Sequence, residues 1–117
     1  MKRTIIDFFI GGWEGFREFV VSEKVDEAFY LKPADGNAMS LPIYKSGQYI
    51  SLRFRKGVIS GTEHDIIRSL TLSSDESATF KIIVKKGAGH DSGLVSYHMH
   101  DNVKVGDILE VSAANSK

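Results

Sequence analysis

Residues 47–55 alternate strictly: Ile50, Leu52 and Phe54 are apolar, and Tyr49, Ser51, Arg53 and Arg55 between them carry polar groups. A period of two sends the two sets to opposite faces of an extended chain, so this stretch is a β-strand with one dry and one wet face. Residues 79–85 repeat the pattern through Phe80, Ile82 and Val84. Four further short runs rich in β-branched or aromatic residues, at 16–23, 27–32, 66–72 and 108–112, extend the series to six strands.

The intervals between these runs have turn chemistry. Ala34-Asp35-Gly36-Asn37 holds an Asp-Gly pair, Lys56-Gly57 and Ser60-Gly61 bracket what reads as a mobile loop, and Ser73-Ser74-Asp75-Glu76 is a polar turn. The glycine-rich Gly87-Ala88-Gly89-His90-Asp91-Ser92-Gly93 is a connection that leads into the one good interior helix, residues 94–100, with Asp91 or Ser92 available as N-cap. Six short strands and one short helix make an all-β domain, either a small antiparallel barrel or a sandwich. At 117 residues there is room for one such core and not for a second nucleotide-binding domain beside it.

The totals exclude several functions. Lys plus Arg equals Asp plus Glu, 15 each, so no global positive field draws nucleic acid or anionic membrane. With no cysteine there is no disulfide, thiolate metal site, iron–sulfur cluster or cysteine nucleophile. The opening segment has a basic end and a short apolar stretch, but Asp7 interrupts it and Gly11-Gly12-Trp13-Glu14 is a poor signal-cleavage region. No run approaches the roughly 18 apolar residues that span a bilayer. A soluble, cytoplasmic protein is the expectation.

Four segments carry a resemblance in order: Gly11-Gly12-Trp13-Glu14-Gly15-Phe16-Arg17-Glu18-Phe19; Tyr44-Lys45-Ser46-Gly47-Gln48-Tyr49; Arg68-Ser69-Leu70-Thr71-Leu72; and Gly93-Leu94-Val95-Ser96-Tyr97-His98-Met99-His100, the last followed by Val105-Gly106-Asp107. The first is similar to the junction at which flavohaemoglobins (nitric oxide dioxygenases) leave their globin domain. The others resemble the Tyr-x-Pro-Gly-Gln-Tyr, Arg-x-Tyr-Ser and Gly-x-Val-Ser-Asn-x-Leu-His stretches of that family's flavin domain, a branch of the ferredoxin–NADP reductase superfamily. The resemblance spans roughly residues 11–114. It implies a six-stranded antiparallel Greek-key barrel with one short helix over residues 11–117, preceded at 1–10 by a tail similar to the end of a globin helix.

It also implies FAD as cofactor. Independently of it, a pyrophosphate asks for a guanidinium with bidentate geometry, which Arg68 can supply, and for exposed backbone N–H groups at a helix start, which Gly93, Leu94, Val95 and Ser96 can supply. The Ser96 hydroxyl is a further donor. Alternation puts Arg68 and Leu70 on one face. The resemblance assigns Arg68 to the phosphate, Leu70 to the flavin face, Thr71 (two residues after Ser69, a further candidate contact in the same stretch) to the ring edge and Tyr49 to a cofactor contact. Leu70 stands where the family has tyrosine. A leucine covers a ring face by dispersion but forgoes aromatic stacking worth ~0.5–1.5 kcal/mol, about tenfold in affinity, so FAD is expected to bind weakly while the phosphate clamp holds, with absent binding as the alternative. The 55–65 loop is longer than the family's hairpin and is expected to bear on the entrance to the site.

Other chemistries find less support. His98 and His100 lie two apart on a helix and point to different sides, so no metal site is expected. No nucleophile elbow and no Gly-rich dinucleotide fingerprint is present. Trp13, Phe8, Phe9, Phe16 and Phe19 read as packing. The resulting expectation is a flavin-binding electron-transfer domain of a flavohaemoglobin-like oxidoreductase that lacks the globin and NAD(P)H domains. Those domains would have to act in cis or in trans, so the chain would not turn over alone. The alternative is a barrel that no longer binds FAD and acts as an interaction module. Surfaces that face sister domains in the family make a homodimer a further expectation.

Overall fold

A computed structural model of the chain describes residues 15–36, 47–73, 79–86 and 93–112. The strands are β1 (Phe16–Val25), β2 (Ala28–Pro33), β3 (Tyr49–Phe54), β4 (Ile66–Thr71), β5 (Phe80–Ile83) and β6 (Ile108–Ser112), with one helix, α1 (Gly93–Asp101), between β5 and β6. They form one sheet in the order β4-β3-β6-β1-β2-β5, with antiparallel pairing throughout. A bridge between Leu72 and Ile82 brings the two ends of that order together, which makes the sheet a Greek-key barrel and settles barrel over sandwich.

Alternation builds the interior. Directly opposed residues of an antiparallel pair share a face. The pairs Ile50–Leu70, Leu52–Val111, Phe19–Leu109, Val21–Leu31, Phe29–Ile82 and Leu31–Phe80 therefore all point inward, and most of these side chains are wholly buried. Phe19 and Phe80 stack near-parallel across the barrel with centroids 5.3 Å apart. The helix closes one end by sinking Val95 and Met99, spaced four apart, into the same core, and Val103 just past its end joins them.

β1 runs two residues further than the pattern of apolar residues suggests. Its register against β2 slips between Val21 and Glu23, so Ser22 is the extra residue of a β-bulge. Without that slip, Glu23 would follow Val21 onto the inner face. With it, Lys24 lies opposite the buried Phe29, and its ammonium sits 5.2 Å from that ring while donating to the carbonyls of Met99 (3.2 Å), His100 (2.8 Å) and Val103 (2.9 Å). A strand lysine thus caps the carboxyl end of the helix, where free carbonyls and the helix dipole both favour a cation.

The β3–β4 connection is tied down rather than loose. The Lys56 amide donates to the Asp65 carboxylate (2.7 Å), the Gly57 amide to the Thr62 hydroxyl (3.1 Å) and that hydroxyl to the Ile59 carbonyl (2.6 Å), with the Ile59 side chain buried. The proposed tail at 1–10, the stretch 11–14, residues 44–46 and the helix N-cap candidates Asp91 and Ser92 lie outside the described residues. No helix among the described residues is long and apolar enough to cross a membrane.

Candidate functional site

β4 differs from its neighbour in one respect. β3 buries Ile50, Leu52 and Phe54 completely or nearly so, whereas β4, paired to it along its whole length, buries no residue completely. The cause is topological. β4 ends the sheet order, and among the described residues the chain at its end meets β5 through the Leu72–Ile82 bridge and the bond that the Ser73 amide donates to the Lys81 carbonyl (2.8 Å), so beyond these the inner face of β4 looks into a seam.

In that seam lies a cleft of about 140 Å³ lined by Arg68, Ser69 and Leu70 from β4, Ile83, Val84 and Lys85 from β5 and its exit, and Val95 and Ser96 from the first turn of α1. Arg68 and Leu70 share the inner face, opposite Leu52 and Ile50. Leu70 is half-buried and packs on the core while lining the cleft. Arg68, the chain at Lys85 and the amino-terminal turn of a helix, whose N–H groups lack intrahelical partners, thus border one opening.

The remaining candidates fall elsewhere. Tyr49 is directly opposite Thr71, and Ser51 opposite Ser69 with their hydroxyls 3.1 Å apart, so Tyr49, Ser69 and Thr71 share the outer face of the hairpin. Tyr49 and Thr71 do not line the cleft, and Ser69 reaches it only as a member of β4. Gly93 begins the helix and the Leu94 side chain is exposed. The Ser96 hydroxyl, expected to be a phosphate donor, donates instead to the Lys85 carbonyl and so ties the helix start to the end of β5. Lys85 was not among the expected residues. Its place just after an alternating strand gave no sign that the helix would turn back beside it.

A second, larger cleft of about 380 Å³ lies at the other end of the helix, between β3 and β6. Here Arg53 and Arg55 converge on Glu110, at 2.8 Å and 2.9 Å. The Arg55 bond first, then that of Arg53, pulls the Glu110 carboxyl down to about 2 from its ordinary 4.5. The Arg53 guanidinium also lies 4.2 Å over the Phe16 ring. His98 meets Phe54 edge-on, and burial lowers its pKa against the opposing pull of Asp107. The His100 ring bonds the Val84 carbonyl. Both histidines have structural contacts, and among the described residues no group of three His, Asp or Glu side chains is placed to hold a metal. The 55–65 loop borders this second cleft through Arg55 and Val58, not the seam.

No protein-family model matches the chain. Individual relatives do. The flavohemoprotein of Halalkalibacterium halodurans is 41% identical over 112 residues, which cover 88% of this chain and 26% of that protein. Flavohemoprotein A of Dictyostelium discoideum is 41% identical over 113 residues, covering 88% and 28%. The chain thus spans about a quarter of the length of these relatives. Among solved structures, the flavohem-like FAD/NAD binding domain of nitric oxide dioxygenase from Vibrio cholerae O1 biovar El Tor superimposes with a TM-score of 0.71 at 38% identity, over 86% of this chain and 44% of that one. Sequence and fold agree: the chain belongs to the flavohaemoprotein family, as a counterpart of the ferredoxin reductase-type barrel in that family's FAD/NAD-binding portion.

Proposed function

We propose that the barrel holds FAD and serves as the flavin-bearing electron-transfer domain of a flavohaemoprotein-type oxidoreductase. The observation that carries this reading is the seam itself: Arg68 and the first turn of α1, far apart in sequence, line one cleft. About 140 Å³ suits the pyrophosphate and not the whole dinucleotide, so the cleft is an anchor from which the rest of the cofactor extends over the surface. The Arg68 guanidinium would grip two phosphate oxygens at once, Lys85 would add a point charge, and the backbone N–H groups of residues 93–96 would take the remaining oxygens.

Leu70 would cover one face of the flavin by dispersion. Thr71 and Tyr49, around the margin of β4 on the opposite face, would meet the ring where it passes the strand's outer edge. When bound, FAD supplies the exchange between two-electron and one-electron chemistry, and the protein's task is to hold and tune it. The nicotinamide and haem chemistry of the family would reside in polypeptide beyond the quarter that this chain matches.

A second reading has two observations behind it. Leu70 packs on the core, and the Ser96 hydroxyl already has a partner, as in a barrel that has given up its flavin and become an interaction module. Titration of the colourless protein with FAD, followed by the flavin absorption band, decides between them. Saturable binding supports the flavin domain. No change at high micromolar FAD overturns it in favour of the second reading.

A further inference from the structure

One wall of the seam is built from chain that has left the sheet. β5 ends at Ile83, and Val84 and Lys85 beyond it line the cleft together with Arg68 and the first turn of α1. Side chains take over there from the strand ladder. The Val84 amide donates to the Glu27 carbonyl (2.8 Å), and the Lys86 amide donates to the Glu27 carboxylate (2.8 Å). From α1, the His100 ring donates to the Val84 carbonyl and the buried Ser96 hydroxyl to the Lys85 carbonyl. Ser96 and His100 are one helical turn apart, so a single face of α1 takes two successive carbonyls.

The same hairpin holds the helix too. Lys24, which binds the carbonyls at the carboxyl end of α1, precedes Glu27 by three residues across the tight turn at Asp26. We infer that the β1–β2 turn is a bracket that sets the width of the phosphate cleft, with Glu27 as its positioning residue. This rests on the flavin reading for the identity of the phosphate ligand.

Width matters because hydrogen bonds to phosphate oxygens weaken steeply once donors leave their distance and line. Arg68 is placed by the β3–β4 ladder, whereas the chain at Lys85 and the helix start are placed by the bracket. Glu27 therefore works by reach rather than by charge. The two predict opposite signs. A carboxylate acting only through its charge repels an anion, so its removal tightens phosphate binding. A carboxylate that holds the wall in place does the reverse, since the wall drifts when its grip on the Lys86 amide is lost.

Calorimetric titration with FAD and, separately, with inorganic pyrophosphate tests this on the intact chain and on Glu27→Gln, Glu27→Asp and Glu27→Ala. Each is measured at a temperature where circular dichroism shows the protein folded, so that a merely structural role leaves the affinity unmoved. Glu27→Gln drops the charge and keeps an acceptor at the same reach, and it should bind both ligands within about twofold of wild type. Glu27→Asp keeps the charge one methylene short and should bind both about threefold to tenfold more weakly; Glu27→Ala should lose about tenfold. Affinity that is unchanged in Glu27→Asp, or that rises in both Glu27→Gln and Glu27→Ala, would overturn the bracket. If Glu27→Ala does not fold, the contrast between Glu27→Gln and Glu27→Asp decides in the same way. If pyrophosphate binds the wild type and FAD does not, the flavin reading falls and the pyrophosphate series alone decides the bracket. If neither ligand binds, both fall.

Discussion

The barrel has arginines at both ends of α1, and the two ends use them differently. At the carboxyl end, Arg53 and Arg55 close on a single half-buried carboxylate, Glu110, between β3 and β6, where the ladder is continuous. At the amino end, Arg68 shares its cleft with Lys85 and a helix start, at the place where β4 and β5 part company. Where the sheet is complete, the guanidinium is part of the wall. Where the sheet is open, the guanidinium faces a space of ligand size. Topology, more than residue type, thus separates an arginine locked onto a carboxylate from one that lines a cleft, and it is the second that we propose holds phosphate.

Four substitutions or conditions can break that contrast or sharpen it. The largest effect is expected for Glu110→Ala, which leaves two arginines facing each other without their common acceptor. It should lower the unfolding free energy by about 2–3 kcal/mol in denaturant titrations, with flavin affinity unchanged. A loss below about 0.5 kcal/mol would mean that this end behaves as an ordinary surface pair. Next is Arg68→Ala, with the opposite profile. Flavin affinity should fall about tenfold to a hundredfold while stability moves by less than about 0.5 kcal/mol. Arg68→Lys should recover part of the affinity, since the charge returns without the bidentate fork. If Arg68→Ala unfolds the barrel instead, the two ends are alike.

A smaller gain is expected from Leu70→Tyr, which restores an aromatic surface on the inner margin of the seam. Flavin should bind up to about tenfold more tightly. Unchanged affinity would place the ring away from Leu70. Acid tests the Glu110 interaction a second time, without a substitution. The Glu110 carboxyl is held at about 2 in the folded chain against an ordinary 4.5, so its contribution is complete above pH 4.5 and is lost as pH falls from there through 2. Unfolding followed by circular dichroism across that range should steepen accordingly, and Glu110→Gln should flatten the slope.

Much of the architecture was legible in the alternation of residues 49–54 and 80–84, because a half-buried strand can hardly be written otherwise. The Val25–Ala28 hairpin was not. Its turn carries Asp26 and Glu27 with no glycine, and Asp26 takes the left-handed conformation (φ 52°) that a short polar side chain tolerates. Nor did the pattern reveal the bulge at Ser22, since an inserted residue only shifts the phase of an alternation that was already ending. In the site, strand periodicity correctly put Arg68 and Leu70 on one face. The partnership of Lys85 with them, and of Ser96 with the Lys85 carbonyl, depends on how the helix returns to the barrel, and no local period encodes that.

The lysine cap on the helix also bears on how the molecule assembles. Lys24 reaches carbonyls 75 to 79 residues away along the chain. Closing so long a loop is entropically late work, and sheets rich in such distant contacts form on the slow side of the range for small domains. Until the first strand hairpin meets the segment after β5, the helix has no fixed seat. The seam therefore takes its final shape only when the two halves of the chain have found one another, and Lys24→Met, which removes contacts formed late, should speed unfolding and leave the refolding rate little changed.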